Sequence, residues 1–174
     1  GQNIVEEISL VTSGANLGWN TWEGSFRFIS RSAVSLSNPR GDEALTYPVA
    51  EYGQEDPLLQ RSSAATGLHV YRSDAIPELA NLVLFGDNPS GEVFYVRANG
   101  LPSGGQQAIR RILLNDSGDS KTLLQVIQEK NREQGRSPAG RADLRFGSGP
   151  DGQVFLLNKR DGVIRLLVSN RGSR

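Results

Sequence analysis

The chain has 174 residues, with 19 Lys plus Arg against 19 Asp plus Glu for a formal net charge of zero, 20 Gly, 37% hydrophobic residues, and neither Cys nor Met. Zero Cys excludes disulfides, thiolate metal sites and a Cys nucleophile, and the charge balance offers nothing that draws nucleic acid or an anionic membrane. No apolar run approaches the roughly 20 residues of a membrane-spanning helix, no signal peptide opens the chain, and the Gly-rich composition suits a turn-rich all-β fold better than a helical bundle. A start at Gly1 without an initiator Met suggests processing or a cut from a larger protein.

In chain order, Ile4 to Val11 mixes β-branched residues with partial alternation and reads as a strand that turns at Thr12-Ser13-Gly14. Residues 14–24 form a loop with two indoles, Trp19 and Trp22, which either fill space between neighbouring sheets or offer a stacking surface for a sugar. Ser30 to Glu43 reads as a polar loop around the Asn38-Pro39-Arg40-Gly41 turn. Leu45 to Tyr52 returns to strand chemistry, with Pro48 arguing for an edge or a bulge. Gln54 to Ser63 is a further loop, and Thr66 to Arg72 alternates as a strand. Ala108 to Leu114 opens another set of strands. Over 122–134 a short helix is expected, capped by Ser120 and ended at Gly135, with Leu123, Leu124, Val126 and Ile127 on one side. Strands follow at Asp143 to Phe146, Gln153 to Asn158 and Val163 to Val168, and Ser169 to Arg174 reads as a frayed tail.

One pattern stands above the rest. Phe-Gly-x-x-Pro-x-Gly-x-Val-Phe occurs at Phe85 to Phe94 and again at Phe146 to Phe155, 61 residues later. Each copy reads as strand, Pro/Gly turn, strand, and a hairpin repeated at this period is the signature of β-propeller blades. The expected architecture is therefore a partial propeller within one domain over 1–174: a blade end over 1–29, a blade over about 45–97 and a blade over about 106–168. Closure takes at least about four blades, so the partners expected are further N-terminal blades or other copies meeting at open blade edges, three copies giving six blades.

No complete catalytic arrangement is visible. His69 is the single histidine and sits among alternating strand residues, which excludes a two-His metal site. Glu6 and Glu7 fall on opposite sides of a strand, so one at most serves a given pocket. Asn115-Asp116-Ser117-Gly118-Asp119 is an Asx-type turn rather than a calcium loop, and its first three residues form a glycosylation sequon. Arg141, Asp143 and Arg145 stand two apart, so on a strand they share a face; two guanidinium groups there suit a polycarboxylate ligand, and an Arg-Asp-Arg ladder is the structural alternative.

Gly1-Gln2-Asn3 with Glu6-Glu7-Ile8, the Gly18-Trp19-Asn20 and Glu23-Gly24 loop, Pro48 to Tyr52, Val70-Tyr71-Arg72, and Phe85-Gly86-Asp87 with Ser90-Gly91 together resemble the C-terminal part of the glucose/sorbosone dehydrogenase family. The resemblance implies a six-bladed propeller, a periplasmic or extracellular setting, and an oxidoreductase that passes hydride from a sugar hydroxyl to pyrroloquinoline quinone beside calcium. It further implies Glu6, Thr66, Arg141 and Arg145 as cofactor-binding residues, Gly1 and Gln2 near the metal, and Trp19 and Trp22 near the sugar. The His base of such enzymes lies N-terminal to the matched region, so no catalytic residue is assigned and His69 is not promoted to that role. The alternative is a non-catalytic propeller that binds carbohydrate or protein.

Overall fold

The computed structural model describes residues 1–59 and 63–170. Part of the loop expected over Gln54 to Ser63 and most of the expected tail lie outside the described residues. The fold is all-β, with five small antiparallel sheets and one α-helix among the described residues, arranged in two compact units.

The first unit comprises residues 1–65 and 101–109. It contains β1 (Val5–Ile8), β2 (Trp22–Glu23), β3 (Phe26–Ser30), β4 (Ala33–Ser35) and β5 (Ala50–Gly53). β1 pairs with β5, Glu6 opposite Tyr52 and Glu7 opposite Glu51, while β2, β3 and β4 form a separate meander. The β3–β4 hairpin overlaps the stretch read as loop. Its residues are few; β3 alternates between half-buried and exposed, β4 is half-buried throughout, and neither has a fully buried position, which is a weak pattern to find in sequence. β5 is shorter than the strand expected from Leu45, beginning just past Pro48 and Val49. The segment 101–109 closes the unit through Gly104 N–H to the Val49 carbonyl at 2.9 Å and Glu51 N–H to the Gly105 carbonyl at 3.1 Å.

The second unit comprises 66–100 and 110–174. In chain order its elements are β6 (Ala65–Val70, its first residue at the boundary), β7 (Leu82–Asp87), β8 (Val93–Arg97), β9 (Arg110–Ile112), β10 (Leu114–Asp116), β11 (Asp119–Lys121), α1 (Leu123–Glu133), β12 (Arg145–Ser148), β13 (Val154–Leu157) and β14 (Ile164–Leu166). β6-β7-β8-β9 form one sheet, β10-β11 a tight hairpin at the expected Asx turn, and β12-β13-β14 a third sheet. The stretch 45–97 is thus shared between sheets, since β5 joins β1. Two apolar clusters fill the unit: Val93, Leu123, Ile127, Ala142, Leu144 and Leu156 in one, and Tyr71, Ile76, Leu82, Leu84 and Val154 in the other. The helix is where the sequence places it, but its cap is Thr122, not Ser120: Gln125 N–H donates to Thr122 Oγ1 and Thr122 N–H to Gln125 Oε1, a reciprocal capping box. Ser120 is already committed to β11.

Both copies of the repeat are hairpins, yet they pair differently. In the first, Phe85 lies opposite Phe94 and both are buried, with rings 5.7 Å apart. In the second, Phe146 lies opposite Leu156, and Phe155 lies opposite Gly147. The first copy closes between Asp87 and Glu92 around residues 88–91, the second between Gly149 and Gln153 around residues 150–152. Because side chains alternate along a strand, this one-residue offset separates Phe146 and Phe155 onto opposite faces.

Candidate functional site

Three buried carboxylates organise the first unit. Glu23 is 1% exposed, and its Oε1 accepts the backbone N–H groups of Gln2, Asn3 and Ile4 at 2.8 Å and of Val5 at 3.1 Å. Burial works to raise this carboxyl, but the four donors outweigh it and hold it below the usual carboxylate range. Glu51 accepts Ser25 N–H at 2.8 Å and Gly105 N–H at 3.3 Å. Gly24 makes that geometry possible: its φ is +59°, and a Cβ there would stand 2.4 Å from Glu51 Oε2. Glu6 Oε1 accepts Gln54 Nε2–H at 2.7 Å, and its Oε2 accepts Ala65 N–H at 2.8 Å. Glu7 is half-buried; burial raises its carboxyl, the Gly1 amino group 3.2 Å away opposes this, and the charges of Glu6 and Glu23 reinforce it.

These contacts define what the segment expected to border quinone and calcium does. Gln2 turns an N–H donor toward Glu23, whose Oε1 gathers four backbone donors while its Oε2 is buried without a hydrogen-bond partner. Glu23 Oε1 is thus committed to the backbone of residues 2–5, and Glu6 to Gln54 and Ala65. Among the described residues no group of three or more His, Cys, Asp or Glu side chains is placed to hold a metal ion. The sequence reading passed over Glu23 as a functional group, and a single Glu before a Gly carries no signal beyond its place in the Trp loop.

The two tryptophans part company. Trp22 is buried and meets Tyr47 edge to face at 5.4 Å, so it is a core residue and not a sugar platform. Trp19 is 58% exposed and rests against Phe28 at 5.2 Å.

Thr66, Arg141 and Arg145 belong to the second unit, whereas Gly1, Gln2 and Glu6 belong to the first. Thr66 is half-buried in β6. The expected Arg141-Asp143-Arg145 ladder does not form, because Asp143 adopts φ of +54° and breaks the strand alternation that would align the three. Asp143 instead bridges Arg141 and Arg160, the latter from the turn after β13. Burial raises the Asp143 carboxyl, and the two guanidinium groups outweigh it and lower it overall. Arg141 also donates to Asn88 Oδ1 at 3.0 Å, and Arg145, at the start of β12, donates to the Leu144 carbonyl at 2.8 Å. The arginines expected to hold a polycarboxylate, Arg141 and Arg145, are thus engaged within the chain.

A different surface is assembled where Arg145 stands. Cross-strand partners share a face, and the registers Arg145 to Leu157 to Ile164 and Gly147 to Phe155 to Leu166 place these six residues on one side of the β12-β13-β14 sheet. Phe155 and Leu157 are half-buried, while Ile164 is 65% exposed, Leu166 47% and, just past the strand, Val168 71%. The opposite side carries Phe146, Val154 and Leu156 into the core. Among the described residues β14 is hydrogen-bonded to β13 alone. Since Leu167 N–H bonds to the Val154 carbonyl, the alternating ladder points the N–H and C=O of Ile164 and Leu166 away from β13.

An 88-residue stretch covering 50% of the chain is 32% identical to the HIPL2 protein of Arabidopsis thaliana, of which it spans 12%. A stretch of the same length is 29% identical to the HIPL1 protein of Arabidopsis thaliana and spans 13% of it. The chain therefore matches about one-eighth of the length of these curated relatives. No protein-family model matches the chain. These findings correct the family expectation: the relatives carry the HIPL name, nothing supports membership of the glucose/sorbosone dehydrogenase family, and the oxidoreductase and quinoprotein assignments drawn from it are set aside. No helix among the described residues is long and apolar enough to cross a membrane.

Proposed function

We propose that this chain is a non-catalytic β-sheet binding module that takes a protein partner along β14, and that a second copy of the chain is the partner its edge suits. The observation that carries this reading is the coincidence of an open strand edge with an exposed apolar stripe, Ile164, Leu166 and Val168, on a sheet whose other face is core. An antiparallel pair of β14 strands with Leu166 at the twofold axis sets Ile164 opposite Val168 of the other copy and Arg165 opposite Leu167, so no like charges meet. Six such aliphatic side chains contribute on the order of 10 kcal/mol on burial, against an association cost of about 4–15 kcal/mol, which corresponds to weak, reversible pairing.

Sedimentation velocity over a range of micromolar concentrations tests this. A concentration-dependent dimer that Leu166→Lys abolishes, with the far-ultraviolet spectrum unchanged, is the expected result. A species that stays monomeric throughout refutes self-pairing. A second reading rests on Trp19, whose exposed indole offers a stacking face for a sugar ring. It predicts a saturable change in tryptophan fluorescence with an oligosaccharide, lost in Trp19→Ala.

A further inference from the structure

We propose that His69 is a protonation-sensitive latch within the second unit: when neutral it holds β6 against β12 through Ser148, and when protonated it releases that contact. His69 Nδ1 lies 2.8 Å from Ser148 Oγ, joining strands 79 residues apart that belong to different sheets. The strands touch again one step along, where Gly67 at φ +62° lies so close to Phe146 that a Cβ would stand 2.2 Å from the ring. The other ring nitrogen, Nε2, is buried and has no hydrogen-bond partner.

That orphan nitrogen gives the contact its chemistry. With Nδ1–H donating to Ser148, Nε2 is a bare lone pair, and the opposite tautomer would bury an N–H without an acceptor, the costlier arrangement. A second proton must go onto Nε2, where the new N–H is buried without an acceptor; the Nδ1–H bond to Ser148 alone does not offset that burial, so the ring leaves the contact to reach water. Among the described residues no carboxylate is paired with it. On β7 the one charged residue is Asp87, which is fully buried and takes the Ser90 N–H. On β12 the one charged residue is Arg145, which is on the sheet's outer face. Asp151, in the following turn, is tied to Gln153, and Tyr71 holds its ring 6.1 Å away. β6 itself carries no other charged residue.

Burial lowers the His69 pKa from its ordinary value. An unfolded imidazole, with a pKa of about 6.5, therefore takes up its proton before the folded one does. The latch is at full strength above about pH 6.5 and is lost as pH falls through the lower folded value. Because Ser148 lies on β12, release slackens the strand that carries Arg145 and flanks the exposed face.

His69 is the one imidazole in the chain, so its ring resonances are unambiguous. Nitrogen-detected titration should show Nδ1 protonated in the neutral form and a midpoint below about 6.5. Over the same range, amide protection in β6, corrected for intrinsic exchange, should fall by up to about tenfold per pH unit. His69→Phe should remove that pH dependence. Ser148→Ala, which leaves the imidazole in place, should lower β6 protection at neutral pH. A midpoint at or above the free value, or β6 protection that does not respond to acid in the wild-type chain, overturns the latch. These readouts need no association, so they stand or fall separately from pairing at β14.

Discussion

Replacing Glu23 by Gln keeps the shape of the side chain and one acceptor oxygen but removes the charge that four backbone N–H groups share. A hydrogen bond to a charged group contributes about 1.5–3 kcal/mol and a neutral one about 0.5–1.5 kcal/mol, so each converted bond forfeits roughly 1 kcal/mol. One oxygen has two lone pairs, and four donors cannot each count in full. The loss expected for Glu23→Gln is about 2 kcal/mol, and for Glu23→Ala, which strands the donors altogether, about 4 kcal/mol. Urea unfolding followed by tryptophan fluorescence measures this directly, because both indoles lie in the first unit and Trp22 is the neighbour of Glu23 in β2. The folded carboxyl is depressed. Its stabilisation is therefore complete above about pH 4.3, the value of a free Glu, and is lost as pH falls through the lower folded value. Wild type and Glu23→Gln should converge in acid. A Gln variant within about 0.5 kcal/mol of wild type at neutral pH would refute the role given to this carboxylate.

Three further outcomes follow from particular contacts. Gly67→Ala combines a left-handed backbone with a Cβ that collides with Phe146, and it should cost about 3 kcal/mol in the second unit by denaturant unfolding. Thr122→Ala removes the α1 cap and should cost about 1 kcal/mol, read as a lowered unfolding midpoint with an unchanged slope. Asp143→Asn tolerates the positive φ but loses both guanidinium partners, which are themselves substantially exposed. It should cost about 1 kcal/mol or less at neutral pH, a difference that disappears as pH falls below the free Asp value of about 3.9 and through the depressed folded one.

What the sequence made legible was local. The duplicated Phe-Gly motif, the Pro/Gly turns and the apolar side of residues 123–127 each state a conformation within a few residues of themselves, and hairpins and helix appear where they were read. The β3–β4 hairpin was missed because Phe26 to Ser35 buries no residue completely, so the alternation that betrays a strand is faint. The arginine ladder failed for a sharper reason. Spacing of two implies a shared face only if the backbone stays extended, and one left-handed residue at Asp143 cancels the inference while bringing Arg160 into the place expected of Arg145. Glu23, His69 and Ser148 owe their roles to partners 18 to 79 residues away, which no window along the chain reports. The family resemblance drew on short Gly- and aromatic-rich motifs, and these recur wherever tight turns and packed blades or sheets are needed.

The offset pairing of the two repeats has an evolutionary consequence. Both ten-residue copies have the same length and the same fixed residues, yet one closes over four residues and the other over three. Whether the final Phe joins the interior or a surface is thus decided by where the loop pinches shut, a property that a single-codon insertion or deletion near Gly149 to Gln153 can reset. Such a change would turn Phe155 and Leu157 inward only by turning the core residues Val154 and Leu156 outward. The packing of Val154 and Leu156 therefore locks the turn as firmly as the turn sets the register, and the two copies cannot exchange closures without exchanging cores.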